Sequence, residues 1–134
     1  MADHSRWKID FVLHEDVGVV EALFDGVFLI RADDVEEWDR RVRAELSRFE
    51  GQVDLLIGLD GLRVKPAAAR RFGEARAAVL DEFARRSFRY GADPWTATSI
   101  STSSVLDGAE SNLFATREEA LEALLTSREA MRRR

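Results

Sequence analysis

The sequence predicts an α/β fold: a mixed sheet of about five strands, opening as an antiparallel hairpin and continuing with parallel strands, covered by about four helices. Three observations carry this reading. Val53-Asp54-Leu55-Leu56-Ile57-Gly58-Leu59 is a short, almost continuously apolar run bracketed by Gly51 and Gly61, the pattern of a strand buried on both faces. Long stretches on either side of it place apolar residues at helical spacing. The composition of 134 residues, 46% apolar and 34% charged, with no cysteine, fits a single domain around one core. A chain of this length buries roughly 68% of its unfolded surface, so it needs neither disulfide nor structural metal.

Each element has its own justification. Trp7-Lys8-Ile9-Asp10-Phe11-Val12-Leu13 alternates as a half-buried strand, and Val17 to Phe24 follows the turn-prone His14-Glu15-Asp16, so the two form a hairpin. Asp25-Gly26 breaks the second strand, and Val27-Phe28-Leu29-Ile30 leads to the first helix. There Asp33 is the expected N-cap with Glu36 three residues on, and Val35, Trp38, Val42, Leu46 and Phe49 form one stripe along Asp34 to Phe49. After the central strand and the loop Asp60 to Lys65, Pro66 stands at a first helical position, and Ala69, Phe72, Ala75, Val79 and Phe83 form the next stripe. Gly73 within it costs about 1 kcal/mol relative to Ala, which predicts a close helix–sheet contact. Gly91-Ala92-Asp93-Pro94 reads as a turn, Trp95 to Ser101 as a polar β-branched strand, Thr102 to Gly108 as a short helix and Asn112-Leu113-Phe114 as the last strand. Thr116 and Glu119 form a capping box that opens a final helix carrying Ala120, Leu121, Leu124, Leu125 and Met131. Trp7, Trp38 and Trp95 read as core anchors. One domain, 1–134, is expected, with 1–6 and 132–134 flexible.

Charge and residue chemistry narrow the function. Residues 1–65 carry nine basic and fifteen acidic side chains and the rest eleven and ten, for a net charge of −5 and a pI near 5.1. Nucleic-acid binders usually present a basic face, so no nucleic-acid partner is expected. Arg132, Arg133 and Arg134 answer the negative end of a helix. No apolar run approaches the roughly 20 residues of a membrane span, and Met1 to Ser5 lacks the basic-then-apolar order of a signal peptide, so a cytoplasmic protein without a transmembrane segment is expected. With no Cys and two His, zinc-finger, iron–sulfur and thiol chemistry are set aside. His4 and His14 are expected in solvent, out of reach of a nucleophile. Asp33-Asp34, Glu36-Glu37 and Glu118-Glu119 stand at helix starts, where they offset the dipole. No catalytic, metal or cofactor site is predicted, and the chain is not expected to be an enzyme.

Three stretches carry a family likeness. Val53-Asp54-Leu55-Leu56-Ile57-Gly58-Leu59-Asp60-Gly61-Leu62, Thr98-Ser99-Ile100-Ser101-Thr102-Ser103-Ser104 and Asn112-Leu113-Phe114-Ala115-Thr116-Arg117-Glu118-Glu119-Ala120-Leu121 resemble the STAS superfamily. That superfamily includes bacterial anti-sigma-factor antagonists, SpoIIAA-like proteins and a branch similar to the CRAL-TRIO lipid-transfer proteins. In order and kind of elements the likeness spans about residues 8 to 127. It implies the SpoIIAA-like fold. In the antagonists a phosphorylatable Ser lies in an Asp-Ser-Ser-Gly-like turn at the start of the helix after the central strand. Here that stretch is Arg63-Val64-Lys65-Pro66-Ala67-Ala68-Ala69, which has no hydroxyl to phosphorylate. The resemblance therefore points to the SpoIIAA-like and lipid-transfer-like members rather than to a kinase-controlled switch.

A candidate site follows from position. Ligands of open α/β sheets bind outside the carboxyl ends of the strands, here the loop Asp60 to Lys65 and the stretch Ser101 to Ser104. If those strands are neighbours, Asp60, Arg63, Lys65, Ser101, Thr102 and Ser103 form one rim. Its cations attract an anion, and its hydroxyls and helix-start N–H groups bind it. The plainer account makes Ser101 or Thr102 an N-cap and pairs Arg63 with a nearby acid. Two functions are expected on this basis. One is a non-enzymatic STAS-like regulatory or protein-interaction module that binds a protein partner or forms a homodimer. The alternative is a carrier or sensor of an apolar, lipid-like or anionic small molecule.

Overall fold

The computed structural model describes residues 3–108 and 111–132. In chain order the elements are β1 (Lys8–His14), β2 (Val19–Asp25), β3 (Val27–Leu29), α1 (Ala32–Leu46), β4 (Val53–Gly58), β5 (Leu62–Val64), α2 (Pro66–Phe83), β6 (Ala84–Tyr90), α3 (Pro94–Asp107), β7 (Leu113–Phe114) and α4 (Arg117–Arg132). Five strands make one sheet in the order β1-β2-β4-β6-β7, with β1 antiparallel to β2 and every later pair parallel. β3 and β5 form a separate parallel ladder of two strands. The fold is thus the mixed α/β sheet with four helices that the sequence predicts.

Strand alternation gives the sheet two different faces. Val20 and Ala22 of β2 and Leu55 of β4 meet the stripes of α1 (Val35, Trp38, Val42, Leu46) and α2 (Ala68, Phe72, Ala75, Val79), together with Ile100 of α3. Trp38 and Phe72 touch edge to face at the centre of this core, with ring centroids 5.1 Å apart. Val19, Leu56, Phe88 and Tyr90 point the other way, against Ala120 and Leu124 of α4. Helix α4 opens as predicted: Thr116 Oγ1 accepts from the Glu119 N–H at 3.2 Å, and the Thr116 N–H donates to Glu119 Oε1 at 3.1 Å. Gly61 is needed where the chain turns past β2, because a Cβ there would fall 2.0 Å from the Phe24 carbonyl oxygen.

Three expectations are corrected. The fourth strand is β6, whereas Trp95 to Ser101 lies inside α3. Helix α2 passes into β6 with no loop, since Ala84 is already extended, and Ala84-Arg85-Arg86-Ser87-Phe88-Arg89-Tyr90 hides its alternation behind three arginines. The β-branched residues of α3 suggest a strand locally, but the helix is held by its ends: Asp93 accepts from the Trp95 N–H, Pro94 occupies the first turn and Gly108 closes it at φ 74°. Helix α1 begins at Ala32 rather than at an Asp33 cap, and it is Asp34 that takes the Ile30 and Arg31 N–H groups at 2.9 and 3.0 Å. Trp7 and Trp38 are core residues as expected, but Trp95 is 65% exposed. Arg133 and Arg134, read as charges at the end of the last helix, lie outside the described residues. No described helix is long and apolar enough to cross a membrane.

Candidate functional site

The expected rim does not assemble as one patch. β4 and β6 are neighbours, and the loop after β4 meets the turn after β6: the Leu59 N–H donates to the Tyr90 carbonyl at 2.9 Å, and the Asp60 carboxylate lies against Gly91. Arg63 Nη1 donates to the carbonyls of Asp60 and Leu62 at 2.7 and 3.1 Å and lies 4.0 Å from Asp93, in line with the plainer account of it. Lys65 is exposed just ahead of α2. Ser101, Thr102 and Ser103 lie about two turns inside α3, so their N–H groups belong to the helix and are not a free helix start. Ser103 is buried, accepting from Arg76 Nη1 at 2.7 Å and donating to the Ile100 carbonyl at 3.1 Å.

Two of the six residues, Thr102 and Ser103, line a different feature, a groove of about 580 Å³ between α2 and α3. Pro66, Ala69, Arg70 and Glu74 form its α2 wall, Val64 of β5 its end, and Trp95, Thr98, Ser99, Thr102 and Leu106 its α3 wall. The walls are pinned at two points: the Val64 N–H donates to Thr96 Oγ1 at 3.1 Å, and Arg76 ties the far half of α3 to α2 through Ser103. Trp95 and Leu106 remain 65% and 72% exposed. Both are large apolar side chains that line the groove yet stay open to solvent.

Ser99 is the most informative residue of the groove. Thr98, Ser103 and Ser104 all donate to carbonyls one turn back, on Pro94 or Ile100. Ser99 does not: it is 7% exposed, and its Oγ has no hydrogen-bond partner among the described residues. A buried hydroxyl left unpaired costs about 1–3 kcal/mol. Sequence reading reached the Ser/Thr-rich stretch but mistook it for a strand end; the Asp93-Pro94 start and the Gly108 stop were the signals that place it on a helix.

Apart from Arg70 and Glu74 in the groove wall, the histidines and the buried carboxylates sit elsewhere and engage one another or arginines. His4 Nε2 lies 2.7 Å from Asp34 and His14 Nε2 2.8 Å from Glu21, so both imidazoles are partly buried against carboxylates, contrary to the expectation that they stand in solvent. Burial alone would raise the pKa of Glu21, but hydrogen bonds from Arg117, Tyr90 and His14 outweigh it and hold the carboxyl at about 2. Burial, and then its hydrogen bond to Glu21, push the Tyr90 hydroxyl well above the usual phenol range. Asp34 is lowered because hydrogen bonds from His4, Ile30 and Arg31 outweigh its burial. Among the described residues the hydrogen-bond partner of each imidazole is a carboxylate and not a Ser or Thr hydroxyl. Inside the main core, a cavity of about 40 Å³ lined by Phe11, Trp38, Phe72 and Ile100 has room for a few waters and none for a ligand.

Comparison with known proteins finds no family model that matches the chain and no curated protein that matches it.

Proposed function

We propose that the chain is a non-enzymatic, STAS-like binding module of the cytoplasm, and that its occupant is a small amphiphilic molecule seated in the α2–α3 groove. The single observation that carries this is the unpaired, buried Ser99 hydroxyl in the wall of a groove that mixes apolar residues (Val64, Pro66, Ala69, Trp95, Leu106) with polar ones. Ligand sites combine apolar walls with a few placed polar groups at volumes of about 300–1,000 Å³, which the groove matches and the core cavity does not. An apolar body would lie along Trp95, Ala69 and Leu106. A polar end would meet Ser99, and of the two charged residues in the lining, Arg70 and Glu74, Arg70 is the one that would pair with a negative charge. The likeness to STAS-like modules rests on the stretches Val53 to Leu62 and Asn112 to Leu121 and on the shared order of hairpin, crossover helices and final capped helix; the third stretch, Thr98 to Ser104, lies inside α3 and lends it no support.

The test uses native mass spectrometry of the purified protein together with a titration by anilinonaphthalene sulfonate, an apolar ring system with one anionic group. Saturable binding with energy transfer from Trp95 is expected, weakened about tenfold by Leu106→Asp. Binding that ignores Leu106→Asp contradicts the proposal. A second reading, a protein partner or a second copy covering α3, draws on Val105 and Leu106, which are 84% and 72% exposed. A concentration-dependent dimer abolished by Val105→Asp would favour it.

A further inference from the structure

At the opposite end of the sheet, where the parallel strands begin, four arginines converge. A pocket of about 390 Å³ is lined by Gly18 ahead of β2, Asp54 at the start of β4, Arg85 and Arg86 at the start of β6, and Arg128, Met131 and Arg132 at the end of α4. Asp54 forms its floor with a side chain only 2% exposed. Arg86 Nη1 reaches both carboxylate oxygens of Asp54 at 3.0 and 2.9 Å, and Arg128 binds the same carboxylate through Nε at 3.2 Å and Nη2 at 2.7 Å.

Two guanidinium groups on one carboxylate leave a positive charge uncompensated at the floor, Arg85 on the wall adds to it, and Arg132, 3.9 Å from Glu129, stands at the exposed edge. A lining of four cations against one anion stands out in a chain of net charge −5. Basic residues in the last turn of a helix answer its dipole, which accounts for Arg132. That does not explain Arg85 and Arg86, which come from the sheet. Donors also remain. Among the described residues the hydrogen bonds of Arg86 come from Nη1 alone, and that of Arg85 runs from Nη2 to the Gln52 carbonyl. Arg128 is spent on Asp54 and on the Val17 and Gly18 carbonyls, so it shapes the floor and is not a free arm.

We infer that this pocket is an anion site for a phosphate-type group, gripped by Arg85, Arg86 and Arg132 over a floor that Asp54 and Arg128 hold in place. Guanidinium forks match the oxygens of a tetrahedral dianion two at a time, which a spherical monovalent ion does not exploit. The pocket is concave and bounded by secondary structure, and it lies at the sheet's opposite end from the loops after β4 and β6, so it is independent of the α2–α3 groove.

The test is amide chemical-shift mapping at low ionic strength with inorganic phosphate, phenyl phosphate, and chloride at matched ionic strength. Saturable shifts centred on Gly18, Arg86 and Arg128 are expected with phosphate and not with chloride. The exposed pair Arg85→Gln and Arg132→Gln should weaken binding at least about tenfold, and adding salt should weaken it further. Tighter binding of phenyl phosphate identifies an organic phosphomonoester as the source; equal binding identifies the free ion. No saturation up to about 20 mM, the same response to chloride, or unchanged affinity in the double variant overturns the assignment. Arg132→Gln alone, at an exposed site in the last helical turn, serves if the double variant does not fold.

Discussion

The two faces of the sheet are held by different physics. Under α1 and α2 the contacts are mainly apolar, from Val20 and Leu55 up to the Trp38–Phe72 pair, with the buried arginines Arg76 and Arg89 bordering them. Under α4 a small apolar patch of Val19, Leu56, Phe88, Ala120 and Leu124 sits between two buried carboxylates, Glu21 and Asp54, each bound to an arginine of α4. The first face depends chiefly on area removed from water, the second more on ion pairs that need their partners in place. Glu21 and Arg117 are 96 residues apart in sequence, and Asp54 and Arg128 are 74 apart. The α4 face is therefore fixed late in the chain and by groups that a local pattern does not connect.

This difference can be broken from either side. Trp38→Ala or Phe72→Ala should cost about 3–5 kcal/mol in denaturant unfolding, because each leaves a cavity in the larger core; a loss under about 1 kcal/mol would place the α1–α2 contact wrongly. Arg117→Ala should cost about 1–2 kcal/mol, since it removes the charged partner of Glu21 while Tyr90 and His14 remain, and the double variant with Glu21→Gln should recover part of that loss. If the two substitutions are additive, the α4 face does not depend on the pair. Ser99→Ala should be neutral or stabilising by up to about 1 kcal/mol, since it deletes an unpaired hydroxyl, while weakening the amphiphilic probe. A destabilisation would show that Ser99 has a partner in solution. Smallest of all, Arg63→Ala with Lys65→Ala should leave stability within about 0.5 kcal/mol and leave groove binding unchanged, because neither side chain lines the groove. Lost binding would bring the rim loop back into the site.

The same contrast explains what was legible in the sequence. Elements whose burial is apolar and periodic were readable: the hairpin, β4, the stripes of α1 and α2, and the Thr116–Glu119 cap of α4. β6 was not, because a strand with Arg86 on one face and Arg89 on the other looks like the end of a charged helix until its partners are known. α3 was misread because Thr and Ile side chains suggest a strand, whereas the residues that decide it are at its two ends. The site suffered the same way. Thr102 and Ser103 were singled out for a role at a helix start they do not occupy, and they line the groove through their place on the helix wall instead. Ser99 is one of several hydroxyl residues between Thr96 and Ser104, and only burial without a partner distinguishes it from its neighbours.

The most direct test of the two-face account is the pH dependence of two substitutions, Glu21→Gln and Phe72→Ala, compared by denaturant unfolding at pH 6 and pH 3. Glu21 titrates at about 2 when folded and near 4.5 when unfolded. Its contribution is therefore complete above the unfolded value and is lost as pH falls toward the folded one. At pH 3 the cost of Glu21→Gln should shrink by on the order of 2 kcal/mol, while the cost of Phe72→Ala stays the same. Equal behaviour of the two variants across that range would contradict the claim that one face is held by charge and the other by apolar packing.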